Sequence, residues 1–294
     1  FGGAELTDMI GLKALGAVGF TDDGVPIKDT AVVMEAMKMA KALDVPLSFH
    51  EEDPALIGSF GVNQGPVSTA VGVEGAPAVA EDVLVARDCA LALSTGASID
   101  IQHISSGTSV AIVRAMKALG KNIHAEATPQ HFSLTEEAVL AKGTLVKVNP
   151  PIRTEADRQA IIQGLMDDTI DYIATDHAPH SAEEKAKDMK SAPSGMIGLE
   201  TALALGITNL VKPEYLSLSH FLEKLTINPA ELYHLDAGYV AVGGKADMVI
   251  FDENEQWTVG EHFKSKASNS PFIGETLQGK VKYTICGGKI VYRD

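Results

Sequence analysis

The sequence predicts an α/β fold, a parallel sheet covered by helices and arranged as a barrel, followed by a small β module. Three observations predict it. Short apolar runs alternate with amphipathic stretches of helical spacing between residues 17 and 175. Several of those runs end in Asp or His. Beyond Ala237 the helical spacing gives way to short runs punctuated by glycine.

Taken in order, Glu5 to Leu15 is an amphipathic run, and Ala17 to Thr21 reads as the first strand. Thr30 to Leu43 follows as a helix, with apolar residues three and four apart. Leu47 to His50 is the next strand, then a long Gly-rich loop and a helix from about Ala78 to Leu93. Ser98 to His103 is strand-like, Ser109 to Leu119 helical, and Asn122 to Ala127 strand-like. Leu145 to Val148 reads as a short extra strand, Glu155 to Asp167 as a helix, and Asp171 to Thr175 as the last strand. Leu199 to Leu210 and Leu218 to Leu225 are helical. Asn228-Pro229 then starts another helix, with Asn228 as cap and Pro229 at the first position. Met248 to Phe251, Val281 to Ile285 and Lys289 to Tyr292, the last two flanking Gly287-Gly288, form an antiparallel module.

Strands alternating with helices imply a parallel sheet. A barrel is favoured over an open doubly wound sheet because polar residues close several strands. Barrels gather their sites at the carboxyl ends of the strands, whereas open sheets collect ligands at one switch point. An eight-stranded (β/α)8 TIM-type barrel would lack two or three strands here, expected before Phe1. Phe1-Gly2-Gly3 carries no initiator Met, so the chain reads as beginning in mid-fold. The expected division is residues 1–236 for the partial barrel and 237–294 for the β module.

The chain has 294 residues, 45% hydrophobic and 21% charged, enough for a sizeable core. Its net charge of −15 argues against nucleic acid and anionic membranes as partners. It leaves room for an anionic small-molecule substrate, since a metal reverses the local sign. The two cysteines, Cys89 and Cys286, make neither a disulfide framework nor a thiolate cage, and read as buried and inert. No signal peptide or long apolar span is visible, so a cytoplasmic protein is expected.

Chemistry concentrates at the strand ends. Asp23, His50 and His103 close three strands, and Ala174-Thr175-Asp176-His177-Ala178-Pro179-His180 closes a fourth. Taken singly, a His there is more often a hydrogen-bonded structural residue, and an Asp a helix cap. Four such positions in successive units point instead to a hydrolytic metal site. Imidazole and carboxylate donors suit Zn²⁺, with Mn²⁺ and Fe²⁺ as alternatives. Of Asp22 and Asp23 at most one is expected to face the metal, since neighbouring side chains of an extended segment diverge. Asp176 is placed to bind metal and act as general base, and His180 to hold an anionic group. His124, His131, His220, His234 and His262 are given structural roles, and His177 is expected to point away from Asp176. Gly243-Gly244-Lys245 is a turn, because it lacks the spacing and the following Ser or Thr of a phosphate loop.

Several segments together resemble dihydroorotases of the class I bacterial type, in the amidohydrolase superfamily. These are Gly19 to Gly24, His50 to Asp53, Ala80 to Asp88 and Gln102 to Ser106. Val148 to Lys185, which includes Asn149-Pro150-Pro151-Ile152-Arg153, and Lys266 to Gly288 complete the set. The resemblance covers essentially the whole chain. It implies reversible, zinc-dependent cyclisation of N-carbamoyl-L-aspartate to L-dihydroorotate in pyrimidine synthesis, with one or two metal ions. It further implies Asp23 as a bridging ligand, with Asp22 the alternative if the register slips by one. His50 and His103 become ligands of a second metal, and Asp176 a ligand of the first and the proton shuttle. Asn149, His180 and the Ser194-Gly195 backbone become substrate contacts, and the β module part of a β-sandwich. A homodimer is implied, and aspartate transcarbamoylase is a candidate partner.

The family's His-x-His pair on its first barrel strand, with a nearby Arg and Asn, has no counterpart here and is expected before Phe1. The alternatives are two. One is a related cyclic amidohydrolase (dihydropyrimidinase, hydantoinase or allantoinase), which usually has a lysine where Thr21-Asp22-Asp23 offers none. The other is a non-catalytic scaffold for aspartate transcarbamoylase. Ser181 to Ser194, rich in Lys, Glu and Ser, reads either as an active-site loop or as a solvated connector.

Overall fold

Five short strands lie side by side, all parallel, in the order of the chain: β1 (Phe20–Thr21), β2 (Leu47–Phe49), β3 (Ile99–Ile101), β4 (Ile123–Ala127) and β5 (Tyr172–Ile173). The structure, a computed structural model, describes residues 3–294. The expected strands preceding Phe1 lie outside the described residues. Among those described, β1 and β5 are the two ends of the row, which does not close into a ring.

The register sets the layers. Leu47 pairs with Ile99 and Ile99 with Ile123, so one face of the sheet is a continuous aliphatic stripe. Helices Thr30–Leu43, Val79–Thr95, Gly107–Lys117 and Glu155–Met166 contribute Met37, Val85, Val113 and Leu165 to the same core. Each such buried aliphatic side chain contributes roughly 1.5–3 kcal/mol. On the opposite face Ser48 sits beside Asp100, and its hydroxyl donates to that carboxylate at 3.0 Å. The interior of the curved sheet is therefore polar.

Local chemistry fixes the helix ends. Asp29 accepts from the Ala31 amide at 2.8 Å and opens the first long helix. Ser106 caps the helix after β3, and Thr154 with Asp157 forms a capping box before Glu155. The Ser106 cap stands five residues beyond the end of β3, on the rim that also carries His103.

The β module is one antiparallel sheet of three strands, β6 (Met248–Thr258), β7 (Thr276–Cys286) and β8 (Lys289–Arg293). The first two are longer than their apolar runs, because their far ends pack on the helical region. Thr208 accepts from the Gln278 amide at 2.8 Å. Gly279, with φ +95°, lies against Ile207, where an added Cβ would come within 2.4 Å of its side chain.

Four expectations need correction, the first being the Asn228 cap: the helix runs Ile227–Leu232 from Thr226, and Asn228 instead donates its side-chain amide to the Asp171 carbonyl at 2.8 Å. Leu145 to Val148 is no strand: Gly143–Val146 forms a 3₁₀ turn, closed where the Lys147 amide meets the Thr144 carbonyl at 3.0 Å. Pro150 and Pro151 follow and supply no N–H for a ladder. The helix expected over Leu199 to Leu210 starts at Ala202 and loosens into a π-helical turn at Ile207–Val211. There Gly206 takes the ring of Phe221, which a Cβ would meet at 2.0 Å. Cys89 is buried, and burial pushes its thiol up to about 12, but Cys286 is exposed.

Candidate metal centre

Asp23, His50, His103 and Asp176 each come within three residues of the carboxyl end of a strand. Asp22 and Asp23 come directly after β1, and the structure separates their roles. Asp22 is buried and spent on the backbone, accepting from the His50 amide at 2.9 Å and from Ile27 at 3.0 Å. Burial raises its pKa, which those two amides partly offset. Asp23 turns the other way. Its Oδ1 lies 3.5 Å from His50 Nδ1 and 3.8 Å from His103 Nε2.

The two imidazoles are buried and meet edge to face, with Nδ1 of His50 3.2 Å from Nε2 of His103. His103 adopts φ +35°, and its amide donates to the buried Glu126 carboxylate at 3.2 Å. His50 Nε2, on the far side of its ring, stands 3.3 Å from Glu52. Burial opposes a charge on His50, but Asp23 and Glu52 outweigh it and raise the imidazole to about 10. The same partners, His103 and then His50, hold the Asp23 carboxyl far below the usual range.

Such a cluster is a cation site by its own electrostatics. One carboxylate oxygen and two imidazole nitrogens lie within 4.8 Å of one another, a donor set that fits Zn²⁺. Glu52 sets a buried carboxylate 3.3 Å from Nε2, the ring nitrogen of His50 that does not face Asp23. The donors therefore fit the metal that the strand-end pattern implies.

Asp176, held at φ +47° after β5, does not belong to that tight trio. It is close enough to interact with it. Burial raises its carboxyl pKa, the charge of His103 pulls it down, and that of Asp23 pushes it up. His177 points elsewhere, its Nδ1 accepting from the Gly198 amide at 3.1 Å.

The four remaining expected residues are outside the cluster of donors. Asn149 presents a buried Oδ1 with no hydrogen-bond partner, a free acceptor beside the polar interior. His180 donates through Nε2 to the Ser194 carbonyl at 2.9 Å, and its own amide donates to Asn269 at 3.1 Å. Gly195, at φ +129°, packs on that ring, where a Cβ would meet His180 Nε2 at 3.0 Å. The Gly195 amide donates to the Lys147 carbonyl at 2.8 Å, and the Gly195 carbonyl accepts from Asn269 at 3.2 Å. These backbone groups are thus engaged within the protein.

Sequence reasoning missed Glu52, Glu126 and Glu81. Glu81 is buried and accepts from the amides of Ser105 and Ser106, fixing the turn after His103. The spacing of Glu52 was a usable signal, since a residue two beyond His50 in extended chain shares its side. Glu126 and Glu81 carry no such local sign.

The amidohydrolase family profile matches residues 3–291. The chain is 61% identical to a dihydroorotase of Clostridioides difficile and 60% identical to one of Clostridium acetobutylicum, over 99% of its length in both cases. It is 55% identical to a dihydroorotase of Lactococcus lactis, and it spans about 69% of the length of each of these relatives. Among solved structures, an L-hydantoinase from Arthrobacter aurescens superposes with a TM-score of 0.86 at 24% identity, covering 96% of this chain and 66% of that one. That likeness is one of fold. The chain belongs to the amidohydrolase family. Within the family its relatives make it a dihydroorotase, a cyclic amide hydrolase. Among the described residues no helix is long and apolar enough to cross a membrane.

Proposed function

We propose that Asp23, His50 and His103 hold the metal of a dihydroorotase site, and that Asp176 moves the proton in the reversible cyclisation of N-carbamoyl-L-aspartate to L-dihydroorotate. The observation that carries this reading is the meeting of three donors from three strand ends, with ring nitrogens 3.2 Å apart and a carboxylate 3.5 and 3.8 Å from them. Zn²⁺ is the proposed ion, and Mn²⁺ or Fe²⁺ suits the same donors. When bound, the metal polarises the ring carbonyl and lowers the pKa of a water.

The chain's own groups do the rest. In the hydrolytic direction Asp176 takes a proton from the attacking water and delivers it to the ring nitrogen as the C–N bond breaks. A single carboxylate serves as base and then as acid. Its neighbours suit this: burial raises its pKa and the imidazole of His103 limits the rise. Asn149 offers its unpaired Oδ1 to a substrate N–H. His180 holds the turn at Ser194 and Gly195, which carries the proposed contacts to the pyrimidine ring. The resemblance supports a homodimer, an association with aspartate transcarbamoylase and a cytoplasmic site of action. Light scattering of the protein alone and with that enzyme tests the first two.

The test is Asp176→Ala in zinc-loaded full-length protein. Hydrolysis of dihydroorotate is expected to fall by about 10²–10⁴-fold with an unchanged circular-dichroism melt. Activity within about threefold of wild type would remove Asp176 from its role.

A further inference from the structure

Two buried lysines face the Ser194–Gly195 turn and, among the described residues, make no salt bridge. Lys185 ends the short helix Ala182–Lys185, which Ser181 and Glu184 open with a capping box. Its buried ammonium donates to the carbonyls of Pro193 at 3.0 Å and Gly195 at 2.9 Å. Lys147, equally buried, donates to Met189 at 2.8 Å and Ala192 at 2.7 Å, while its own carbonyl receives the Gly195 amide. Main-chain carbonyls from Met189 to Gly195 thus converge on two side-chain cations.

Ammonium groups are costly to bury unless fully hydrogen-bonded. Here backbone oxygens supply that solvation, so the loop can hold its path only with the lysines in place. Burial pushes Lys185 down to about 8, with the neighbouring charge of Lys147 adding to the shift. Gly61, at φ +82°, closes the other side: a Cβ there would strike Lys147 Cγ at 2.5 Å and Ser194 Oγ at 2.7 Å. The segment that reads either as an active-site loop or as a solvated connector is held from beneath by Lys185 and Lys147.

We propose that Lys185, braced by Lys147, is a positioning residue that holds the Ser194–Gly195 turn against His180 and so shapes the substrate-facing wall. The proposal rests on the reading of Ser194 and Gly195 as substrate contacts. It predicts an effect on substrate binding that is separable from the metal, since both ammonium groups are spent on main-chain carbonyls of residues 189 to 195.

The experiment compares wild type, Lys185→Met and Lys185→Arg in the full-length, zinc-loaded enzyme. Three quantities are read: kcat and KM for dihydroorotate, zinc content, and hydrogen exchange of the Gly195–Ile197 amides by mass spectrometry. In Lys185→Met, KM is expected to rise about tenfold or more with kcat within about threefold, while zinc content stays unchanged and exchange quickens about tenfold. Lys185→Arg, which keeps the charge and donors, should recover at least part of the KM loss. A folded Lys185→Met enzyme with wild-type KM and wild-type exchange would overturn the proposal. Should that variant not fold, Lys185→Gln carries the same test with the same outcomes. A wild-type enzyme that does not turn over dihydroorotate would sink the functional reading instead, and the exchange comparison would still decide the role of Lys185.

Discussion

Nδ1 of His50 faces Nε2 of His103 across 3.2 Å, although 53 positions separate them in the chain. Two imidazole edges at that distance need a cation or a proton between them and a nearby acceptor. Asp23 is that acceptor, and its partner in sequence, Asp22, is not.

The two neighbouring aspartates therefore predict opposite phenotypes. Asp23→Asn removes a donor from an open cluster and leaves the backbone untouched. Zinc content after dialysis should drop to a small fraction of wild type. Asp22→Asn weakens two buried acceptor contacts, to His50 and Ile27, and should cost about 1–3 kcal/mol of stability. Metal analysis and urea unfolding of both variants check this. Equal zinc loss with equal destabilisation in the pair would refute the division of roles.

The donor positions are legible in the sequence because each follows directly on an apolar run that becomes a strand. In a parallel sheet, neighbouring strand ends must lie on one rim. Which of Asp22 and Asp23 turns inward is not legible, since it depends on where the chain bends after Thr21. Nor are the roles of Lys147 and Lys185. A lysine in a Lys- and Glu-rich stretch looks solvated until the tertiary path of Met189 to Gly195 brings carbonyls onto it. The β strands beyond Met248 are legible only at their apolar centres. Their polar ends are ordered by contacts such as Thr208 with Gln278, between elements far apart in sequence.

His131, which the sequence marks as structural, supplies a pH prediction. Its ring is fully engaged in the neutral form: Nε2 donates to the Pro150 carbonyl at 2.9 Å and Nδ1 accepts from Thr128 at 2.6 Å. Burial therefore lowers its pKa from 6.5 to about 3. The folded value lies below the unfolded one, so between those limits the unfolded chain binds the proton and the native state does not. Stability conferred above pH 6.5 is lost as pH falls through that window, by up to about 1.4 kcal/mol per unit. Urea unfolding at pH 7 and pH 5 should show a clearly smaller loss in His131→Gln than in wild type. Parallel losses in the two proteins would mean that His131 does not contribute.

Arg153 supplies the last prediction, because one buried guanidinium ties together three loops on the rim of the site. Its Nε donates to Ser105 at 2.7 Å, its Nη1 to Asn63 at 2.9 Å, and its Nη2 lies 3.6 Å from Glu81. Ser105 is two residues beyond His103, so the same contacts that satisfy the charge also set the turn carrying that ring. Replacing Arg153 by Met leaves the Glu81 carboxylate buried beside no cation, which typically costs about 3–5 kcal/mol. The penalty comes largely from the stranded charge, and removing that charge should restore part of the loss. The double variant Arg153→Met with Glu81→Gln is therefore expected to be more stable than Arg153→Met alone, a non-additive result for residues in contact. Urea unfolding of the two single variants and the double variant measures the coupling. Strictly additive losses, or a cost below about 1 kcal/mol for Arg153→Met, would show that the guanidinium does not hold the rim together.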